Sequence, residues 1–234
     1  KPDRRQRQMC IRDRFLDEIN REFVFRKRQY RLILKPAIIT NSKGESKAYY
    51  PSQREEIVED ALRKIAIEKG GALISGGVGV QFTVYELEKE LKKRGHGYSK
   101  SQIKDAINIC HNTSIHMSSM DGEDEMSFHI FEDIGFSSRN QTDKKNKKAF
   151  VKFNSLVTKS INQKSFRLFN YKKCMNLKYM LGRWLFKRIS HHFSQAEYKG
   201  KPYGIKLSTM LRDSGSTVYD NCLLYTSPSP RDLY

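Results

Sequence analysis

FTVYELEKELKKRGHGYSKSQIKDAINIC, residues 82–110, decides how this chain folds. It contains two helix starts of one kind. Thr83 and Glu86 stand three apart, and so do Ser99 and Gln102. In such a pair the hydroxyl accepts from the N–H three residues on, and the Glu or Gln reaches back to the N-cap N–H. Leu87 and Leu91 give the first helix an inner face; Ile103, Ala106, Ile107 and Cys110 give the second one. Gly95-His96-Gly97 breaks the chain between them. The spacing predicts helices over 83–94 and 99–112, joined by a tight turn.

Upstream, Ser52 and Glu55 make a third capping pair after Pro51. Ile57, Val58, Ala61, Leu62, Ile65 and Ala66 follow at helical spacing, and Gly70-Gly71 ends the run. GGALISGGVGVQF, 70–82, reads as a short strand with a glycine turn. Its GGVGV lacks the Gly-Lys-Ser/Thr of a phosphate loop. RLILKPAIIT, 31–40, reads as a strand interrupted by Pro36, and NSKGES, 41–46, as a turn. Residues 15–30 are dense in charge and aromatics. Downstream, SIHMSSM (114–120) and MSFHIFEDI (126–134) alternate and are joined by DGEDE, which predicts a β-hairpin. Its tip carboxylates are repelled by phosphate, so this hairpin is expected to face a protein partner or water. Helix, short strand, helix, turn, helix, hairpin is the order of a winged-helix domain.

RNQTDKKNKK, 139–148, is polar, basic and without apolar periodicity, and reads as a linker. Beyond it AFVKFN (149–154) predicts a strand and SLVTKSINQ (155–163) a short helix. Residues 168–193 form a long aromatic helical stretch with Leu177, Leu181, Trp184, Leu185 and Ile189 on one face. KPYGIKL then predicts a strand and STMLRDSG a further helix start. This second half repeats the opening of the first, so the expected fold is α+β, mainly helical, with tandem winged-helix domains. The second is incomplete, its third helix and hairpin lying beyond Asn221.

The two ends read as foreign. Met9–Asp13 is the translation of ATG TGT ATA AGA GAC, part of a transposon-type sequencing adapter. Cys222–Ser227 is the translation of that repeat's reverse complement. The alternative is a basic arm and a Ser-Pro tail. The expected organisation is therefore 1–14 adapter-derived, 15–138 an N-terminal segment plus the first domain with its core at about 48–138, 139–148 linker, 149–221 the second domain, and 222–234 adapter-derived.

The whole chain has 44 basic and 26 acidic residues, net +18. Removing the seven basic and three acidic residues of the ends leaves 37 and 23, net +14. That excess points to a polyanionic partner, without saying which sequence it carries. No apolar run is long enough to cross a bilayer, so no membrane partner is expected. Of four cysteines, Cys110 and Cys174 lie outside the ends, in no disulfide or CxxC pattern, and a reducing cytoplasm is the expected location.

A helix that reads DNA needs one face held by its domain and another toward the groove. On the helix 99–112, Lys100, Ser101, Lys104, Asn108 and His111 lie away from the apolar face and are the candidate DNA contacts; the alternative is an ordinary solvated face. Lys144, Lys145, Lys147 and Lys148 of the linker, and Arg183, Lys187 and Arg188 beside Trp184, are candidate phosphate contacts, or simply solvated charge. His111, His116, His129, His191 and His192 show no zinc-ligand spacing. No nicking-type His pair with a downstream Tyr is present in the sequence. No cofactor, metal or catalytic residue is expected, and an enzyme is not.

YPSQREEIVEDALRKIA, FTVYELEKELKKRGHGYSKSQIKDAINI and NLKYMLGRWLFKRIS…YGIKLSTMLRDSG resemble plasmid replication initiator (Rep) proteins, over most of residues 49–215. The resemblance rests on ordered patterning rather than one catalytic motif. It implies tandem winged-helix domains that bind repeated double-stranded sites at an origin. It further implies DNA replication initiation with recruitment of the host replication helicase and its loader, and a homodimer formed through the first domain. The alternatives are a winged-helix transcription repressor and, from another class, a nicking or priming enzyme.

Overall fold

A computed structural model describes residues 18–25, 27–40, 44–137, 148–166, 168–192 and 204–214. They divide into two compact units, with the boundary between Phe166 and Arg167. The adapter-like ends lie outside the described residues.

The first unit opens with β1 (Ile19–Phe25) and β2 (Arg28–Lys35), an antiparallel pair. Pro36 has no N–H to continue the ladder, and the strand stops there. The hairpin β3 (Ala37–Thr40) and β4 (Ser46–Tyr49) follows. Helix α1 (Gln53–Glu68) starts at Ser52, whose N–H donates to Glu55 Oε2 at 2.8 Å. All six of its expected apolar residues are buried.

Two short strands come next, β5 (Ala72–Ile74) and β6 (Gly77–Thr83). The loop between them is only Ser75-Gly76, both at positive φ. That left-handed pair is the turn whose twist suits a two-residue hairpin. Helices α2 (Val84–Lys93) and α3 (Lys100–Asn112) then lie where the capping pairs predict. Gln102 N–H donates to Ser99 Oγ at 3.2 Å, and Ser99 N–H to Gln102 Oε1 at 2.9 Å. Leu87, Leu91, Ile103, Ala106, Ile107 and Cys110 are all buried. Polar ties lock α1 to α2: Glu90 accepts from Lys64 at 3.2 Å and from Arg94 at 3.0 Å.

The predicted hairpin after α3 is real but shorter than expected. Strand β7 (Ser114–Ser119) pairs with β8 (Glu125–His129). At Ile130 the chain bends, and β9 (Phe131–Phe136) joins a different sheet. Strand β10 (Lys148–Phe153) enters that sheet between β6 and β9. The close approach of β9 to β10 needs a glycine: a Cβ on Gly135 would stand 2.2 Å from the Phe150 ring. Helix α4 (Ser155–Asn162) is capped by Asn154 and holds β6 through Thr158, whose Oγ1 accepts from Val78 N–H at 3.0 Å.

Two four-stranded antiparallel sheets result, ordered β1-β2-β7-β8 and β5-β6-β10-β9. The fold is α+β, but strands carry more of it than the mainly helical expectation allowed. The first unit also runs further. Lys148, expected in a linker, is a strand residue, and residues 149–163, expected to open the second domain, complete the sheet and outer helix of the first unit. Val151 and Phe153 are buried in its core, so the strand cannot belong elsewhere.

Register fixes the faces of the first sheet. Ile19, Leu34, Ile115 and Phe128 lie in one cross-strand row; Arg21, Leu32, Met117 and Met126 in the next; Phe23, Tyr30 and Ser119 in a third. The opposite face carries Asn20, Ile33, His116 and Ser127, then Glu22, Arg31, Ser118 and Glu125. One face is apolar and the other largely polar. The second unit contributes helices α5 (Tyr171–Met175), α6 (Met180–His192) and α7 (Leu207–Ser214), with Cys174, Met175 and Arg183 buried.

Candidate nucleic-acid interface

Helix α3 is held along one side by α1, α2, β3 and β9, which leaves its other side outward. Lys100, Ser101 and Lys104 are exposed there, and Asn108 is half-buried one turn further on. The first turn of α3 contains no acidic residue. Its N-terminal partial positive charge is therefore uncompensated within the helix, which favours an anion nearby.

Both lysines stand over aromatic rings. Lys100 Nζ lies 5.7 Å from the centre of the exposed Tyr85 ring and 4.0 Å from Glu88 Oε2. Lys104 Nζ lies 5.4 Å from the ring of Phe136, at the end of β9. A ring face attracts the ammonium while leaving its donors open to water or phosphate. Lys148 is exposed at the start of β10, opposite Thr83, the N-cap of α2. The structure thus brings the outer face of α3 and the β9 edge together. Tyr85 and Phe136 were not singled out from the sequence. An aromatic residue just inside a capping pair was the available signal for Tyr85; Phe136 had none, because its neighbour on α3 is 32 positions away.

His111 is not an outward residue. Its Nδ1–H donates to the Phe131 carbonyl at 3.0 Å, and its ring lies 5.9 Å from that of His129. It joins α3 to β9 through this edge of its half-buried ring. Lys144, Lys145 and Lys147 lie outside the described residues.

In the second unit the expected cations are engaged within the fold. Arg183 is fully buried, and its Nη1 donates to the carbonyls of Leu177 at 2.9 Å and Lys178 at 3.4 Å. It cannot reach a phosphate, contrary to the polar-side placement. Arg188 stacks on Trp184, 5.0 Å from the ring centre, and its Nη1 stands 3.3 Å from Asp213 of α7. Lys187 Nζ lies 5.7 Å from the Phe169 ring. The acidic turn after β7 is likewise occupied: Arg28 of β2 pairs with Asp121 at 3.0 Å, Asp124 at 2.9 Å, and Glu123. Among the described residues, no three His, Cys, Asp or Glu side chains come together as metal ligands. No described helix is long and apolar enough to cross a membrane.

The fold is similar to that of domains 2 and 3 of RctB. A selenomethionine crystal structure of those domains matches with a TM-score of 0.54 at 10% identity, over 84% of this chain and 74% of that one. A second structure, of RctB residues 155–483, gives 0.51 at 10% identity over 84% and 75%. No protein-family model matches the chain, and no curated protein does. At this identity the likeness is one of fold.

Proposed function

We propose that this chain is a replication initiator that binds repeated double-stranded sites at an origin, with α3 as the helix that enters the major groove. The observation that carries this reading is the sheet order β6-β10-β9 beside α1, α2 and α3. A winged helix is built this way: one strand before the second helix, two after the third, the last strand lying between the other two. The reading differs from the sequence-based one in which hairpin is the wing. Strands β9 and β10 take that part, and the acidic β7–β8 turn does not. The stretch joining them holds Lys144, Lys145 and Lys147, which become phosphate contacts rather than a linker. Lys100 and Lys104 are assigned to phosphate or guanine, and Asn108 to adenine.

The likeness to RctB domains 2 and 3 supports this reading at the level of fold, and the Rep resemblance of the sequence supports the role. The second unit is read as a further winged helix, and the host helicase and its loader as downstream partners. The chain acts without a catalytic step of its own, in the cytoplasm. Fluorescence anisotropy of the full chain with duplexes carrying the origin repeats or scrambled repeats tests the binding. Tighter binding to the repeats, weakened by Lys100→Ala and Lys104→Ala, is expected. Equal affinity for both duplexes, unaffected by these changes, overturns the assignment of α3. Incubation with supercoiled origin DNA and Mg²⁺ is expected to leave it intact; nicked circles would show an enzyme.

A further inference from the structure

We propose that His111 and His129 together bind one divalent transition-metal ion, zinc or copper, at the junction of α3 with β8. His111 stands in the last turn of α3 and His129 at the end of β8. Their ring centres are 5.9 Å apart, with the planes tilted by 36°. Both rings are half-buried, and so within reach of an ion from solvent.

Two features of the pair suit an ion better than plain packing. The first is the tautomer. His111 Nδ1 lies 3.0 Å from the Phe131 carbonyl, and His129 Nδ1 lies 3.0 Å from the Thr113 carbonyl. A carbonyl only accepts, so each Nδ1 carries the hydrogen, and in the neutral ring each Nε2 carries a lone pair. An imidazole that ligates a metal is held in this way, one nitrogen donating to a carbonyl while the other binds the ion. The second is the spacing. Metal–nitrogen bonds are about 2.0–2.1 Å and a ring centre lies roughly 1.1 Å behind its nitrogen, so two rings on one ion have centres about 5 Å apart at a tetrahedral angle and about 6.5 Å apart when opposed. The observed separation falls between these values.

The backbone that carries the rings is fixed. Thr113 is buried, its N–H and its hydroxyl both donate to the Ile109 carbonyl, at 2.9 and 2.7 Å, and Ser114 pairs with His129 across β7 and β8. The fold rather than the metal therefore brings the rings together. Spacing along the chain gives no sign of this, because the rings meet only once β8 has folded back on β7. Among the described residues no third His, Cys, Asp or Glu joins them, so water completes the coordination shell and binding is reversible. Imidazole ligands select zinc and copper over magnesium and calcium, and copper is held more tightly than zinc. An ion held here braces the last turn of α3 against β8.

The inference is independent of the DNA reading, and its test needs no DNA. The full chain, without a polyhistidine tag, is titrated by calorimetry with Zn²⁺, Cu²⁺ or Mg²⁺. One Zn²⁺ or one Cu²⁺ per chain is expected, copper the tighter, and no Mg²⁺. The Cu²⁺ electron paramagnetic resonance spectrum is expected to show two coordinated nitrogens. His111→Asn and His129→Asn keep an amide N–H where Nδ1 stands and delete Nε2. Each is expected to retain the fold by circular dichroism and to weaken the ion by about tenfold or more, since loss of a ligand's hydrogen-bond partner alone costs that much. His116→Asn and His191→Asn are expected to leave the affinity unchanged. An absence of Zn²⁺ and Cu²⁺ binding overturns the proposal. So does binding that neither His111→Asn nor His129→Asn weakens, or a copper spectrum with fewer than two nitrogens. Should either variant not fold, nitrogen NMR of the parent chain decides. Zn²⁺ is expected to move the Nε2 resonances of His111 and His129, and shifts confined to other histidines overturn the site.

Discussion

Helices α3 and α6 are alike in outline: each has thirteen residues, an apolar side and several basic side chains. They treat those cations in opposite ways. On α3, Lys100 and Lys104 stand in solvent with a ring beneath each ammonium. On α6, Arg183 is drawn wholly inside and Arg188 is tied to Asp213. The difference follows from what each helix follows. α3 begins at the Ser99–Gln102 capping pair, which takes up backbone N–H groups and makes no use of the lysine ammoniums. Just before α6, the carbonyls of Leu177 and Lys178 point into the unit, and a planar guanidinium is the donor that serves both. A basic residue on a helix is thus a nucleic-acid candidate only where the surrounding backbone makes no claim on it.

The largest effect expected from this contrast is in the second unit. Arg183→Ala removes two donors and leaves space behind, and should cost about 2–4 kcal/mol. The single tryptophan, Trp184, is its neighbour, so denaturant titration followed by fluorescence reads that unit directly. A midpoint that does not move would mean that Arg183 is not a buried tie, and would restore it to the list of phosphate contacts. Lys100→Ala with Lys104→Ala should do the reverse. Stability should change by less than about 0.5 kcal/mol, while affinity for duplex falls. The log–log salt slope should shrink by roughly 1.8, since each lost phosphate contact removes about 0.9. A slope that stays steep would move the interface off α3.

Ser99→Ala sharpens the other half of the comparison. Losing the cap of α3 should cost about 1 kcal/mol, seen as a lower melting temperature by circular dichroism, with Ser99→Asp close to the parent. The smallest effect is with acid. Burial pushes the Glu90 carboxyl up, but Lys64 and Arg94 hold it down more strongly, and its pKa is lowered on balance. A lowered pKa means stability that is present at neutral pH and lost as pH falls below the ordinary carboxylate value near 4.5 toward the folded-state value. Glu90→Gln should therefore flatten the acid limb of the stability profile, by less than about 1 kcal/mol; an identical limb would mean that the tie to α1 carries no pH-dependent stability.

What could be read in the sequence was whatever is decided within a few residues. The three capping pairs, the apolar faces of α1, α2 and α3, and the break at Pro36 all lie where local chemistry puts them. What could not be read was partnership between distant strands. MSFHIFEDI alternates only from Met126 to Ile130; Phe131 follows as a second apolar residue, a local mark of the break that does not say which sheet the next strand joins. AFVKFN is a good strand in any sheet, and only the pairing with Val80 and Ile134 shows which one. Strand β1 escaped notice because Arg21 and Glu22 break the apolar texture, although Ile19, Arg21 and Phe23 keep one face. Of the candidate site, Lys100, Ser101 and Lys104 follow from the helical period alone. His111 and Arg183 lie on the correct helices, but acceptors from elsewhere in the chain claim them: the Phe131 carbonyl for one, and the Leu177 and Lys178 carbonyls for the other.

The central place of β10 also governs the order of events during synthesis. Strands β6 and β9 do not pair with each other; each waits for a strand that the ribosome delivers later. Until Phe153 has emerged, both show open backbone edges, which invite pairing with other chains. The helical core of α1, α2 and α3 is already complete by then. A nascent chain stalled between residues 137 and 148 would therefore hold a settled core and an unfinished sheet, and its exposure to aggregation ends with the arrival of six residues.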